Sequence, residues 1–432
     1  MDTVAHNNAH GVLPDEIRQL KSLEVLNLQS NSIYGTMPHG LSRLTRLAYL
    51  NLNHNQVSGA VPDSMSSLTA LEILGVSHNS LTGSFPASMG QTLTKLKTLS
   101  IGDNLLTGDI KNLEPLTNLE YLYAQDNNMK GRIDLGFLVK LSKLVELDIS
   151  GNEIKSSEIP RELFAMSHLK VADLSDNIIS GMIPEDISSN KALRFLSLRS
   201  NRVSGSIPDA LANLSKLSHL DLEDNIMSGE LTDTLGALTG LNFLFLGKNR
   251  WEEGSIPDSI QYLSRLRELS MDSSNLVGQI PSWLPNLVDL KLVDLQYNEL
   301  TGSLPDGLSN LQDLSFLLLS ENNLTGGIPE ELGELDDLDV LSLHKNNFIG
   351  DASAVCQSDS HIGLLTTDCG AITCPCCKEC CDTDGCYSTL VWDALEHNQA
   401  SWELKFERTD YSFSYNMLSS QSDNRQDGRS RV

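Results

Sequence analysis

Read only for hydrophobic and polar positions, the chain keeps one rhythm from about Asn7 to Gly350. Aliphatic residues recur as LxxLxLxxN, followed by a shorter LxGxIP. One clean copy is Leu193, Leu196, Leu198, Asn201, Val203, Gly205, Ile207 and Pro208. Aligned on the asparagine, the rungs are Asn7, Asn31, Asn55, Asn79, Asn104, Asn127, Asn152, Asn177, Asn201, Asn225, Asn249, Ser274, Asn298, Asn322 and Asn346, spaced 23, 24 or 25 residues apart. Asparagine holds all but one of them, and Ser274 is followed at once by Asn275. Self-similarity at such a period means a stack of repeats, each too small to bury its own apolar edge.

Each position has a physical role. The LxL alternation predicts a short strand with leucines inward and the residues between them outward. Strands of successive repeats then stack about 4.8 Å apart as a parallel sheet. The asparagine amide stands where the chain leaves the strand and can pair backbone groups that would otherwise be buried alone. The glycine allows positive φ or close backbone approach, and the proline fixes φ where the return begins. Departures are few. Lys111, Asp134 and Thr232 stand at proline positions, and the segments from Asn152 to Pro160 and from Asn249 to Pro257 each hold one extra residue. Such breaks change local curvature or extrude a loop, where function concentrates.

These motifs resemble the plant-type leucine-rich repeat over about residues 7–350. The resemblance implies an α/β repeat solenoid: a right-handed superhelix with a parallel sheet on its concave face, short 3-10 or helical returns on its convex face, and often a second short sheet from LxGxIP. The expected domains are a partial first repeat without an N-terminal cap (1–22), about 14 repeats (23–350), a cysteine-rich cap (351–390), a packed extension (391–418) and a disordered tail (419–432). Receptor ectodomains and secreted inhibitors of plant cell-wall enzymes are built this way. Family members usually begin with a cysteine-paired cap, so the start at Asn7 suggests a piece of a longer protein.

The cysteines change the picture at the other end. All eight lie together: Cys356, Cys369, Cys374, Cys376, Cys377, Cys380, Cys381 and Cys386. DCGAITCPCCKECC resembles the cap that closes repeat proteins of diatoms and related algae. Four disulfides among eight cysteines allow 105 connectivities. Cys374-x-x-Cys377 and Cys377-x-x-Cys380 also have zinc-like spacing, and redox-active thiols are a third reading. A disulfide cap fits best with the position at the end of the repeats, the cysteine-free body and the absence of histidine within the cluster; it implies an oxidising, extracellular or cell-surface location. Beyond it, Trp392, Trp402, Phe406, Tyr411, Phe413 and Tyr415 suggest packing against the cap. The chain shows no secretory signal segment and no apolar run of the ~18 residues that span a bilayer.

The formal charge of −26 argues against nucleic acid and acidic membranes and favours cationic partners, while also keeping a long solenoid soluble. The outward positions of LxxLxLxxN are the third, fifth, seventh and eighth. They yield a candidate partner-binding face of Asp103, Tyr121, Tyr123, Asp126, Glu146, Asp148, Asp173, Asp176, Arg199, Asp221, Glu223, Phe243 and Phe245, with Asp224 beside them and further aromatics at Phe195, Tyr297 and Phe316. Aromatics among carboxylates suit a protein or glycan ligand. One eighth-position column, His54, His78, Asp103 and Asp126, is a minor candidate for a metal or a pH-sensitive patch, against the plainer reading of a solvated edge. Asn213 and Asn323 open glycosylation sequons. No phosphate loop, HExxH, GxSxG or kinase signature occurs, so neither an enzyme nor a cofactor is expected. The expected function is recognition, as a receptor-like or adhesion ectodomain. The alternative is a secreted inhibitor of cell-wall hydrolases. Ice binding would want flat threonine rows, which the mixed columns do not supply.

Overall fold

The computed structural model describes residues 7–386 except 354, 357–361, 369–370, 376, 378 and 383–384, and leaves out the side chains of 135–136, 379–382 and 385–386. The expected packed extension and tail, with their aromatics, lie outside the described residues. Contacts divide the chain into a first unit ending at Arg202 and a second beginning at Val203.

In the first unit the LxL segments form eight parallel strands paired in chain order: Val25–Asn27, Tyr49–Asn51, Ile73–Gly75, Thr98–Ser100, Tyr121–Tyr123, Glu146–Asp148, Val171–Asp173 and Phe195–Ser197. The second unit repeats the arrangement with His219–Asp221, Phe243–Phe245, Glu268–Ser270, Leu292–Asp294, Phe316–Leu318, Val340–Ser342 and Leu364–Asp368. Register is strict: Leu122 faces Leu147, and Leu244 faces Leu269. The leucines on the inner side are fully buried, among them Leu50, Leu74, Leu99, Leu220 and Leu244. Truncating such a side chain to alanine costs about 2–5 kcal/mol. The strand Leu364–Asp368 carries the sheet past Gly350, where the motif ends, because Leu365 still presents a buried aliphatic side chain opposite Leu341.

The asparagines tie neighbouring turns together. Asn55 donates through Nδ2 to the carbonyls of Leu52 at 3.0 Å and Asn53 at 3.2 Å in its own repeat, and of Leu28 at 2.9 Å in the preceding one. Its Oδ1 accepts from Ile33 N at 3.0 Å. Asn298 does the same in the second unit with Leu295, Gln296 and Met271, and accepts from Leu276 N. A neutral amide thus satisfies four backbone groups that have no water to turn to.

Two places end or break this ladder. Beyond Asn346, Asp368 supplies a carboxylate in place of the next repeat's carbonyls: its oxygens accept from Lys345 N at 2.6 Å and Asn346 N at 3.0 Å. At Ser274 the amide is missing. In a regular repeat a carbonyl such as that of Leu52 receives two amides, from Asn55 and from Asn79, both at 3.0 Å. The equivalent carbonyl of Leu246 receives Asn249 Nδ2 at 3.1 Å and, in the place of the absent asparagine, the indole Nε1 of buried Trp251 at 2.9 Å. Asn275 makes one long contact to Trp251 O at 3.4 Å, so most of the compensation comes from the tryptophan.

The LxGxIP segments form the second sheet. In the first unit it runs through His10–Val12, Ser32–Thr36, Gln56–Ala60, Ser80–Ser84, Leu105–Asp109 and Asn128–Lys130. Glycine is required there by both of its expected properties: Gly59 has φ of 77°, and a Cβ would lie 2.9 Å from Thr36 Cγ2. The sheet is interrupted before Lys155–Ser156, and in the second unit between Arg250–Trp251 and Val277–Gln279, leaving single bridges at Arg132–Lys155 and Gly254–Leu276. Both interruptions fall at the repeats with one extra residue.

Prolines such as Pro14, Pro38 and Pro62 sit in extended backbone just before short 3-10 returns. Where proline is absent, Asp109 and Asp134 cap the return by accepting from Lys111 N and Phe137 N, the ordinary work of an N-cap carboxylate. Thr232 stands at the corresponding place without a side-chain cap. Among the described residues, no helix is long and apolar enough to cross a membrane.

If Trp251 repairs the missing rung, Trp251→Phe lowers stability by about 1–2 kcal/mol through one lost carbonyl bond. Ser274→Asn should restore part of that loss in the Trp251→Phe background and little in the parent. Denaturant titrations of the double-mutant cycle measure this; a coupling indistinguishable from zero would show that the indole bond is incidental.

Candidate functional site

In each unit, the residues of the expected partner-binding face stand at outward positions of the LxL strands or in the turns that follow them. Burial sorts them. Tyr123, Glu146, Asp173, Asp221, Glu223, Phe243 and Phe245 are buried; Asp103, Tyr121, Asp148 and Arg199 are half-buried; Asp126 and Asp176 are exposed.

Several of these side chains already serve the backbone. Fifth-position carboxylates close a short turn at the strand end: Asp148 Oδ1 accepts from Ser150 N and Oγ, Asp173 Oδ1 from Ser175 N and Oγ, and Asp221 Oδ1 from Glu223 N. Asn27 and Asn51 make the same bond with their amide oxygens. The eighth position is constrained differently. His54, His78, Asp103, Asp126, Asp176 and Asp224 all have φ between 50° and 54°, in the left-handed region. Small polar residues, asparagine, aspartate and histidine tolerate that conformation, so this column answers first to the turn. Neither constraint was visible in the hydrophobic pattern, although the run of Asp, Ser, His and Gly at the eighth position was its trace.

The column His54, His78, Asp103 and Asp126 does not assemble a metal centre. The two imidazoles stack face to face, centroids 4.1 Å apart and 13° from parallel, so their in-plane lone pairs do not converge on one point. His78 Nε2 lies 3.4 Å from Asp103 Oδ2, which also accepts from Gln125 Nε2 at 3.0 Å. Among the described residues, no group of three ligating side chains converges anywhere.

Across the strands, side chains of the face hold one another. In the first unit, Asn51 Nδ2 donates to Gln29 Oε1 at 3.0 Å, Ser77 Oγ meets Ser100 Oγ at 2.6 Å, and the Tyr123 hydroxyl donates to Glu146. In the second unit, His219 packs against Phe243 and Phe245 at centroid distances of 5.3 and 5.6 Å. Lys248 Nζ stands 2.7 Å from Glu223 Oε1 and 3.8 Å from Asp272 Oδ2. Burial pushes the carboxyl of Glu268 up to about 8, against the opposing charges of Lys291 and Arg267. Asp294 moves upward too, through burial first and then the charge of Asp272.

The cysteine cluster is partly described. Cys374 and Cys377 form a disulfide with a Cα–Cα distance of 5.4 Å, and Cys356 is also disulfide-bonded. That geometry favours the disulfide reading of Cys374-x-x-Cys377 over a zinc half-site. Cys369 and Cys376, and the side chains of Cys380, Cys381 and Cys386, lie outside the described residues. Both sequon asparagines are exposed, Asn213 at the end of the 3-10 turn Asp209–Asn213 and Asn323 at the start of the strand Asn323–Gly326.

Comparison with known proteins agrees with this geometry. Leucine-rich-repeat family models match residues 3–57, 21–81 and 142–203 and, separately, 265–287, 289–311 and 313–335. The ectodomain of the plant membrane receptor kinase GASSHO1/SCHENGEN3 from Arabidopsis thaliana superimposes with a TM-score of 0.71 at 34% identity, over 85% of this chain. The chain is a leucine-rich-repeat protein of the plant type. PEPR1, solved with AtPEP1, superimposes with a TM-score of 0.74 at 32% identity, over 84% of this chain. Receptor-like protein 6 of Arabidopsis thaliana is 38% identical over 88 residues, 19% of this chain. The leucine-rich-repeat chain spans only 46% and 52% of those two solved chains and 9% of Receptor-like protein 6.

Glu268 gives the face a pH signature. Its raised carboxyl binds a proton in the folded chain that the unfolded chain has released, so its penalty is absent near pH 4.5, grows as pH rises and is complete above about 8. Glu268→Gln should therefore melt higher than the parent at pH 8.5, by an amount on the order of 1–3 kcal/mol in stability, and alike at pH 4.5. Equal differences at both pH values would contradict the buried-carboxyl account.

Proposed function

We propose that this chain is the recognition part of a receptor-like ectodomain and binds an extended peptide along the outward side of its LxL strands. The observation that carries the reading is the row of outward side chains in which Tyr121 and Tyr123 stand in register with the carboxylates of Glu146 and Asp148, with Asp126 in the turn that follows. Aromatic anchors within polar surroundings are where protein ligands gain most of their affinity. The similarity to the GASSHO1/SCHENGEN3 ectodomain supports it, since that structure holds CASPARIAN STRIP INTEGRITY FACTOR 2. The net charge of −26 favours a basic peptide and fast, salt-sensitive association.

An extracellular or cell-surface location goes with this reading, supported by the oxidised cysteines and by the likeness to an ectodomain of a membrane receptor. Asn213 and Asn323 would then be open to glycosylation.

Selection of phage-displayed peptides against the whole chain tests the binding face. Selected peptides should be enriched in Lys and Arg, and Tyr121→Ala with Asp126→Ala should weaken them by about tenfold or more. Peptides whose affinity ignores both substitutions would move the site elsewhere. The compartment is tested by alkylating the chain, purified without reductant, before peptide mapping. Cys356, Cys374 and Cys377 should remain unlabelled until reduced; labelling of the native protein at Cys374 and Cys377 would remove the support for export.

A further inference from the structure

We propose that the second unit carries a separate carbohydrate site: a cleft on its flank, at the broken repeat, that takes a short neutral oligosaccharide. The cleft has a volume of about 640 Å³, within the roughly 300–1,000 Å³ of small-molecule sites. It opens where the irregularities coincide. One extra residue follows Asn249, serine replaces the rung at 274, and the second sheet stops between Arg250–Trp251 and Val277–Gln279. Regular repeats close this flank with continuous strand pairing.

What lines the cleft decides the ligand. Trp251 and Asn298 are committed to the ladder, so neither indole N–H nor amide is available to a guest. The groups left are polar and of mixed kind: the exposed guanidinium of Arg250, the hydroxyl of Ser273, the amide of Asn275, and the carboxylates of Glu299 and Glu321. Glu321 is already neutralised by Lys345. One cation and one remaining anion give little net charge, which disfavours both a strongly acidic and a strongly basic guest.

Tyr297 supplies the second element. Its side chain is 45% exposed beside these groups, and its φ of 56° is left-handed, a conformation a bulky aromatic adopts only at a cost. The other eighth positions carry Ser, His, Asp, Lys, Glu or Gly. An aromatic held there against its backbone preference, over a shallow polar cleft, is an arrangement that stacks a pyranose ring and hydrogen-bonds its hydroxyls. Burial and the nearby Glu321 raise the phenol above its usual value, so it remains a neutral donor and acceptor. This site is separable from the peptide reading: its residues lie in the second unit, while the peptide test substitutes only Tyr121 and Asp126 of the first.

The test uses the whole chain with cellohexaose, laminarihexaose and mannohexaose, read by saturation-transfer NMR and calorimetry. At least one should bind with a Kd of roughly 0.1–1 mM, weak as expected of a shallow site. Tyr297→Gly removes the ring while suiting the positive φ, so it should fold at least as well as the parent and bind at least about tenfold more weakly; Tyr297→Phe should bind within about twofold. Arg250→Ala should weaken binding severalfold. No transfer to any of the three sugars, or binding unchanged in Tyr297→Gly, overturns the proposal. So does a Tyr297-dependent preference for trigalacturonate or for a tri-arginine peptide over all three neutral sugars. Selected peptides that still bind Tyr297→Gly normally keep the two sites distinct.

Discussion

A chain that turns back every two dozen residues must bury the corners of its own turns. Each corner leaves carbonyls and N–H groups facing a neighbour instead of water, and an unmade bond there costs about 1–3 kcal/mol. The asparagine amide answers that constraint with one side chain, its two hydrogens and its oxygen reaching four backbone groups over two repeats. Leucine packing supplies most of the free energy, yet it is indifferent to register. The amide is not. It explains why the aliphatic positions vary among Leu, Ile, Val and Met while the rung hardly varies at all.

The fold was legible because its signal is periodic and repeated: strands, their order and the role of the rung follow from one motif, and the second sheet from the resemblance that motif carries. The face was legible only as a set of outward positions. Hydrophobic period says which way Asp148 or Asp173 points, not that its oxygen is already held by the serine two residues on. Nor does it say that Asp103 and Asp126 occupy left-handed backbone, because φ is a property of the turn and leaves only a faint compositional trace. The paired histidines suggested convergence from their spacing, and parallel stacking of adjacent repeats turned them into a pile of rings. The extra residues after Asn152 and Asn249 were visible as departures, and the structure gives them a meaning as the places where the second sheet cannot continue.

Irregularity is therefore localised and compensated. Asp109 and Asp134 cap returns that lack proline, and an indole occupies the place of a missing amide at Leu246. Each substitute is chemically unlike the group it replaces but presents the same donor or acceptor at the same point. A repeat protein can in this way hold a functional departure in one repeat without spreading strain to the next, which is the setting of the cleft around Tyr297.

The bonds of the ladder also have a direction. The rung at Asn55 satisfies the carbonyl of Leu28 and the amide of Ile33, both in the repeat before it, and the backbone N–H of Asn31 reaches forward to the carbonyl of His54. At this corner a turn takes its side-chain amide from its successor, whereas strand bonds also run back, Ala48 N and Tyr49 N both reaching the carbonyl of Glu24 in the repeat before. The two faces of any one repeat are consequently unlike: the trailing face asks its successor for the rung amide and for turn carbonyls, while the leading face asks its predecessor for strand carbonyls. Asp368 meets the first demand with bare oxygens. A designer joining repeats from two such proteins would find the junction asymmetric, because the amide that serves each corner has to come from the repeat after it.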